Sequence, residues 1–318
     1  MDTLDKMPVD VEIKPKFEER YKAMLGDKYD NFLNYSLSYI NKSIRVNTLK
    51  ADVEDIKKQL QKEWKLVPIP WCKEGFWIEH KGKERFDIGN LPQHQLGYLY
   101  IQEAASMIPP IVLEPMPGDK VLDMCAAPGS KTTQIAAMMQ NTGVLIANDI
   151  QGTRLKALGI NIQKCGVTNA ILTKMPGYIF KQKQAKYDKV LVDAPCSGTG
   201  TIRTSLKTLR MWSPNIVRKL QGVQRQLIDS GFAALKPQGT LVYSTCTQEP
   251  EENEAVVSWL LEKYSDARVE QINLNINKSP AITSFEKQIY NKEVKKCLRI
   301  YPQDNNTEGF FIAKITKS

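Results

Sequence analysis

The chain has 318 residues, 42% hydrophobic and 25% charged, which is enough for a full core and, by length, for two domains. Six cysteines, none in a CxxC pair, and two histidines (His80 and His94) are too sparse for a disulfide scaffold and give a zinc site little support. Free thiols in a reducing cytosol are the better reading. Lys and Arg outnumber Asp and Glu by 44 to 35, and the net +9 suits a polyanionic partner, although plain solubility accounts for the same excess.

The opening Met1-Asp2-Thr3-Leu4-Asp5 is acidic, unlike a signal peptide, and no apolar run reaches transmembrane length. A cytoplasmic monomer with no membrane or metal partner is the expectation. Residues 1–110 read as a helical segment and a small α+β domain. Residues 17–25 are amphipathic and stop at Gly26, residues 44–48 alternate like a strand, and residues 52–64 read as a helix with a charged face. Short strands follow at 65–69 and 76–80. A strand-helix-strand unit of this size, basic and carrying Trp64, Trp71 and Trp77, suits RNA binding; each tryptophan taken singly reads as core.

From Gly118 onward, strands alternate with helices: strand 120–124, helix 131–140, strand 143–148, helix 152–164, strands 170–173 and 188–193, helix 214–235, strand 239–245 and helix 251–264. That order predicts an α/β domain over residues 111–318, a mostly parallel Rossmann-like sheet with helices on both faces. Residues 265–296 show no clear period and read as a loop-rich insertion. Residues 298–301 and 309–315 read as a closing antiparallel hairpin.

Chemistry gathers where apolar strands end. Val190-Leu191-Val192 runs into Asp193-Ala194-Pro195-Cys196, and Leu241-Val242-Tyr243-Ser244-Thr245 runs into Cys246. The carboxyl edge of a parallel sheet is where open α/β folds build their sites, so two thiols beside Asp193 suggest covalent catalysis. For either cysteine alone, a small buried hydrophobe is the competing reading. After strand 120–124, Cys125-Ala126-Ala127-Pro128-Gly129-Ser130-Lys131-Thr132 turns sharply into a helix with free N–H groups, and it is neither a Walker loop nor GxGxxG. Asp149 ends the next strand, where a carboxylate accepts ribose hydroxyls unless it merely caps the following helix; Arg154 lies one turn further on. Pro250-Glu251-Glu252-Asn253-Glu254 reads as a helix start, with Glu251 or Asn253 as candidates for positioning the Cys246 loop. Arg203, Lys207, Arg210, Trp212, Arg218 and Lys219 form either a phosphate track with a stacking aromatic or a solvated helix face.

Residues 125–132, 193–198 and 244–254, with 45–48, 100–107 and 309–313, together resemble the Nol/Nop/Sun family of RNA cytosine-5 methyltransferases. The likeness spans nearly the whole chain from about residue 40, and its specificity lies in the joint order of the motifs. It implies an S-adenosylmethionine-dependent methyltransferase sheet behind a small RNA-binding domain. It also implies that Cys246 adds to carbon 6 of cytosine, that Cys196 aids release of the methylated product, and that Asp193 hydrogen-bonds the base edge. Lys131 is a candidate for favouring the thiolate if it points into the cleft. The methyl donor should then meet Cys125, Ala126, Ala127, Pro128, Gly129, Ser130, Lys131, Asp149, Arg154 and Asp193.

The chain departs from the family at Pro176, where an aspartate usually holds the adenine amino group, at Ser130, where glycine is common, and at Gln303, where histidine often follows proline. Proline supplies neither carboxylate nor N–H, so other groups must hold adenine. The implied substrate is transfer RNA first and ribosomal RNA second, with the target cytosine flipped or single-stranded. A catalytically silent RNA-binding factor and a DNA cytosine methyltransferase are the rival readings.

Overall fold

The structure, a computed structural model, describes residues 4–7, 11–82, 87–182 and 185–318. Its N-terminal part contains α1 (Pro15–Leu25), α2 (Tyr29–Ser36), β1 (Ser43–Val46), α3 (Val53–Leu60), β2 (Trp64–Ile69), β3 (Cys72–His80), α4 (Pro92–Gln95) and β4 (Leu99–Ile101). The four strands form an antiparallel sheet in the order β2-β3-β1-β4. Helix α3 starts where the Asp52 carboxylate accepts the N–H groups of Glu54 and Asp55. The helix expected over 52–64 ends early, at Leu60, because Trp64 is drawn into the core as the first residue of β2. Trp64 and Trp71 are buried and Trp71 meets Trp77 edge to face, so this trio is packing first.

The remainder runs α5 (Ile108–Leu113), β5 (Lys120–Asp123), α6 (Ser130–Met138), β6 (Val144–Asn148), α7 (Gly152–Cys165), β7 (Ala170–Thr173), β8 (Tyr187–Asp193), α8 (Lys207–Met211), α9 (Pro214–Ala234), β9 (Leu235–Thr245), α10 (Glu254–Lys263), β10 (Ala267–Glu270), β11 (Ser284–Phe285), β12 (Gln288–Ile289), β13 (Leu298–Ile300), α11 (Pro302–Asn305) and β14 (Phe310–Lys317). The large sheet has the order β10-β14-β9-β8-β5-β6-β7, with β13 also on β14. Strands β9 through β7 are parallel, and β14 is antiparallel to β9, β10 and β13. The expected closing hairpin is therefore present as β13 and β14. Part of the expected insertion is ordered, as the edge strand β10 and the short hairpin of β11 and β12.

From β5 the chain moves out to β6 and β7, then returns to lay β8 and β9 on the other side of β5. That reversal opens a crevice at the carboxyl ends of β5, β6 and β8. The small sheet is fixed to this crevice by buried polar contacts. Arg45 of β1 donates to Gln102 Oε1 (2.8 Å) and to Thr133 Oγ1 of α6 (3.0 Å), and Gln102 donates to Gln134 Oε1 of α6 (2.9 Å). Asn47 donates to the Cys165 carbonyl at the end of α7 (2.8 Å). The Arg45-Val46-Asn47 segment thus serves docking between the two sheets. Among the described residues, no helix is long and apolar enough to cross a membrane.

Candidate active site

The loop after β5 is built to leave main chain beside the crevice. Its Ala126 N–H donates to the Asn148 carbonyl at the end of β6 (2.8 Å), which fixes the turn against the neighbouring strand. Gly129 has φ +111°, and a Cβ there would lie 2.9 Å from Leu158 Cδ1, so only glycine lets α6 begin this close to α7. Thr132 donates to Asp123 Oδ2 beneath the loop (2.7 Å), and burial pushes the Asp123 carboxyl up to about 7.

A cavity of about 510 Å³ occupies the crevice. Cys125 and Ala127 wall it at β5, Asn148 and Asp149 at β6, Pro176 and Tyr178 after β7, Asp193 and Cys196 after β8, and Cys246 after β9, with Leu227 of α9 as cover. Five of the expected donor-site residues therefore face one space: Cys125, Ala127, Asp149, Arg154 and Asp193. Ala126, Pro128, Gly129, Ser130 and Lys131 lie in the same loop and helix start but do not line the cavity. The Asp149 side chain both turns the chain and faces the ligand space. Its Oδ1 accepts the Gln151 N–H (2.9 Å), while the buried Oδ2, 3.3 Å from Arg154 Nη1, accepts no hydrogen bond from the described residues. A buried carboxylate oxygen left open on a cavity wall suits a ribose hydroxyl, and the cavity has room for a nucleoside. Burial, aided by Asp123, Asp193 and Asp149, raises the Cys125 thiol, so Cys125 keeps its proton.

Asn148 is a wall residue that the sequence did not single out. Its amide accepts from Met175 N–H (2.9 Å) and donates to the Met124 and Met175 carbonyls (3.1 and 3.0 Å), clasping the loops after β5 and β7. Pro176 follows this clasp and lines the cavity without a polar atom to offer adenine except its carbonyl.

At the other end of the cavity, parallel pairing of Asp193 with Ser244 brings the two cysteine turns side by side. Cys196 Sγ and Cys246 Sγ are 3.2 Å apart, both half-buried. Lys131 Nζ contacts Asp193 Oδ2 at 2.7 Å, and Ser244 Oγ donates to Asp193 Oδ1 (2.8 Å). Burial works against the Lys131 charge, but Asp193 outweighs it and the ammonium is held above its usual range, with Cys246 contributing to the attraction. The hydrogen bond to Cys246, then burial, then Glu252 raise the Cys196 thiol well above the ordinary range. Of the two sulfurs, Cys246 is the one that acts on Lys131.

The two turns are joined by a short hydroxyl ladder. Ser197 Oγ and Thr199 Oγ1 both meet Thr247 Oγ1 (2.7 and 2.9 Å), and Gly200 N–H donates to the Cys246 carbonyl (2.9 Å). A Cβ on Gly200 would sit 2.2 Å from the Gly309 carbonyl oxygen and 2.8 Å from that of Cys246, so three segments meet there with no room for a side chain. Asn253 brackets the Cys246 peptide, accepting from Thr245 Oγ1 (2.5 Å) and donating to the Thr247 carbonyl (2.9 Å).

Two expectations fail. The helix expected from 251 begins only at Glu254, because Pro250 to Asn253 form a turn that buries Glu252 and Asn253. In the expected phosphate track, Arg203 is buried and donates to the Ser38, Tyr39 and Thr307 carbonyls, and Trp212 is buried with its indole N–H on Glu249. Neither is placed to meet RNA, whereas Lys207, Arg210, Arg218 and Lys219 are exposed.

Comparison with known proteins matches residues 110–316 to the family described as 16S rRNA methyltransferase RsmB/F, and residues 13–104 to the N-terminal domain of 16S rRNA methyltransferase RsmF. The tRNA (cytosine(49)-C(5))-methyltransferase of Pyrococcus abyssi is 44% identical over 96% of each chain. Ribosomal RNA small subunit methyltransferase F of Klebsiella pneumoniae is 43% identical over 91% of this chain, which spans 60% of that relative's length. Among solved structures, a methyltransferase homolog protein from Pyrococcus horikoshii superposes with TM-score 0.86 at 38% identity, covering 96% of this chain and 95% of that one. NSun6 from Pyrococcus horikoshii with SFG superposes with TM-score 0.83 at 26% identity, covering 96% and 98%.

Proposed function

The chain belongs to the RsmB/F (Nol/Nop/Sun) family of S-adenosylmethionine-dependent RNA cytosine-5 methyltransferases, and on that premise we propose that it methylates transfer RNA in the cytoplasm through a covalent Cys246 adduct. Carbon 5 of cytosine is a poor nucleophile until a thiolate adds at carbon 6 and turns the ring into an enamine. Cys246, at the end of β9 and on the lysine side of the thiol pair, is the sulfur placed to add. Asp193 accepts a hydrogen bond from the base edge, and Lys131, fixed by Asp193, offsets the negative charge that addition spreads over the ring. Bound S-adenosylmethionine supplies an electrophilic methyl group. Cys125, Ala127, Asp149 and Arg154 would hold it, the open Asp149 oxygen taking the ribose. A base then takes the proton from carbon 5, the electron pair re-forms the ring double bond as the carbon 6–sulfur bond breaks, and Cys196, in contact with the sulfur that leaves, aids that release.

The observation that carries this reading is the 3.2 Å approach of the two sulfurs on the wall of the nucleoside-sized cavity. Residues 1–110 act as the RNA-binding unit of a monomer, and exposed Lys207, Arg210, Arg218 and Lys219 extend the basic surface toward the phosphates. Transfer RNA is favoured over ribosomal RNA by the near-complete mutual coverage with the Pyrococcus abyssi relative. Trapping on 5-fluorocytosine transfer-RNA transcripts tests the chemistry. Wild type and Cys196→Ala should form a denaturation-resistant adduct, and Cys246→Ala should not; an adduct that survives Cys246→Ala and vanishes in Cys196→Ala overturns the roles. Bisulfite mapping of cellular RNA with and without the gene identifies the substrate.

A further inference from the structure

Directly behind Cys196 lies a carboxyl group that the reaction above leaves unused. Glu252 is fully buried in the turn between β9 and α10. Its Oε2 accepts the Ser197 N–H (3.0 Å), the amide that follows Cys196, and also the side-chain N–H of Gln224 from α9 (2.7 Å). The same Gln224 nitrogen donates to the Pro195 carbonyl (2.9 Å), the group that precedes Cys196. Glu252 and Gln224 thus grip the Cys196 peptide from both sides. The main chain of Glu252 is held in turn by the Tyr243 hydroxyl, which donates to its carbonyl (2.5 Å) from β9, three residues before Cys246. The second carboxyl oxygen, Glu252 Oε1, and Gln224 Oε1 are buried with no hydrogen-bond partner among the described residues. A packed interior tolerates such orphaned oxygens poorly, so these two residues carry a cost that packing alone does not explain.

We propose that Glu252, seconded by Gln224, is a positioning residue for Cys196 and acts in the release of methylated RNA rather than in the attack by Cys246. The asymmetry follows from the contacts. Both hydrogen bonds on Oε2 secure the Cys196 turn directly or through Gln224, whereas the Cys246 peptide, though joined to that turn through Ser197 and Thr247, has further supports of its own from Asn253 and Gly200. Replacing the carboxylate by an amide keeps the volume and one acceptor but weakens the charge-assisted bond to Ser197 N–H. The Cys196 turn loosens while the nucleophile's own supports stay in place.

This inference rests on Cys196 being the residue that frees the product, so the experiment separates the two. Wild type, Cys196→Ala, Glu252→Gln and Gln224→Met are compared on unmodified transfer-RNA transcripts with radiolabelled S-adenosylmethionine. Methyl incorporation in a single turnover and the fraction of RNA retained on protein in a denaturing gel are both followed. Glu252→Gln should transfer methyl within about threefold of wild type but turn over about tenfold more slowly, with RNA accumulating on the protein as in Cys196→Ala. If Glu252→Gln fails to fold, Gln224→Met reads the same grip and should give the same split. Accumulation in Cys196→Ala with wild-type release in Glu252→Gln overturns the Glu252 role alone. Absence of accumulation in Cys196→Ala overturns the release role of Cys196 and this inference with it. Parallel loss of transfer and release in both folded variants reduces Glu252 to a scaffold and also overturns it.

Discussion

Arg20→Ala is the substitution whose outcome the structure bounds most tightly. Glu249, three residues after Cys246, is fully buried, and its carboxylate meets Arg20 Nε, the Tyr21 hydroxyl and the Trp212 indole N–H, each at 2.8 Å. Arg20 itself is only 10% exposed in its side chain, so solvent screens this pair little. Removing one partner of a buried ion pair costs about 3–5 kcal/mol when the survivor stays charged. Here the survivor has an escape. Burial already raises the Glu249 carboxyl against the pull of Arg20, and without the guanidinium it takes up a proton.

Proton uptake caps the electrostatic part of the loss. Measured against an ordinary carboxyl at 4.5, the ceiling is about 3 kcal/mol at pH 7 and under about 1 kcal/mol at pH 5, and because the wild-type carboxyl is itself raised the actual loss lies below it. The sign follows from proton counting. The folded variant keeps a proton that the unfolded chain releases above 4.5, so its deficit relative to wild type shrinks as pH falls from neutral toward that value. Guanidinium unfolding should place Arg20→Ala about 1–3 kcal/mol below wild type at pH 7, with most of that gap gone at pH 5. A loss under about 1 kcal/mol at pH 7, or a gap that stays constant on acidification, refutes the reasoning.

Asp149→Ala should raise the dissociation constant for S-adenosylmethionine about tenfold to a hundredfold by calorimetry, through loss of the open Oδ2 acceptor; unchanged affinity rejects the ribose contact. Diamide should withdraw two electrons and two protons from Cys196 and Cys246, itself becoming the hydrazine, and join sulfurs that need to close only from 3.2 Å to about 2.05 Å. Activity should fall and return with dithiothreitol, and absence of the linked peptides in mass spectra would mean that the thiols do not meet. Gly200→Ala forces a methyl against two carbonyl oxygens at 2.2 and 2.8 Å. It should lower stability by about 1–3 kcal/mol and suppress adduct formation; a variant with unaltered unfolding midpoint and adduct yield contradicts the three-way contact.

Much of the catalytic sheet was legible because its strands are short apolar runs that stop at polar turns. Residues 170–173 form β7 with the expected bounds, and the expected helix 152–164 is α7 to within one residue. Strands β4 and β10 and helix α2 were not anticipated: the two strands are short and lie at sheet edges, and α2 follows α1 across only a single turn. The false helix start at 251 arose because proline followed by acids imitates a helix N-terminus. Those acids turn inward instead, drawn by partners that local sequence does not display. Arg203 and Trp212 misled for the same reason, since the partners of Arg203 are more than a hundred residues away in the chain. The cysteines and Asp193 were legible because strand ends are local features. Lys131 was a candidate by its motif, but its contact with Asp193 needed the sheet order.

The three buried glutamates after Cys246 show why the long-range part matters to the chemistry. The proposed nucleophile sits on a loop that has to be held without the regular hydrogen bonds of a strand, and here each carboxylate ties that loop to a different body. Glu249 reaches α1 through Arg20 and Tyr21, Glu252 reaches the Cys196 turn and α9, and Glu254 pairs with fully buried Arg299 of β13 at 2.6 Å. Burying three carboxylates is expensive unless each is satisfied, and among the described residues two of the three have an arginine while Glu252 has none. Burial pushes Glu252 up to about 7, so its charge changes near neutral pH. Structural anchoring alone would be served better by a third arginine. A carboxyl with no arginine among the described residues, bonded to the amide that follows Cys196, is the arrangement expected of a group that positions that thiol.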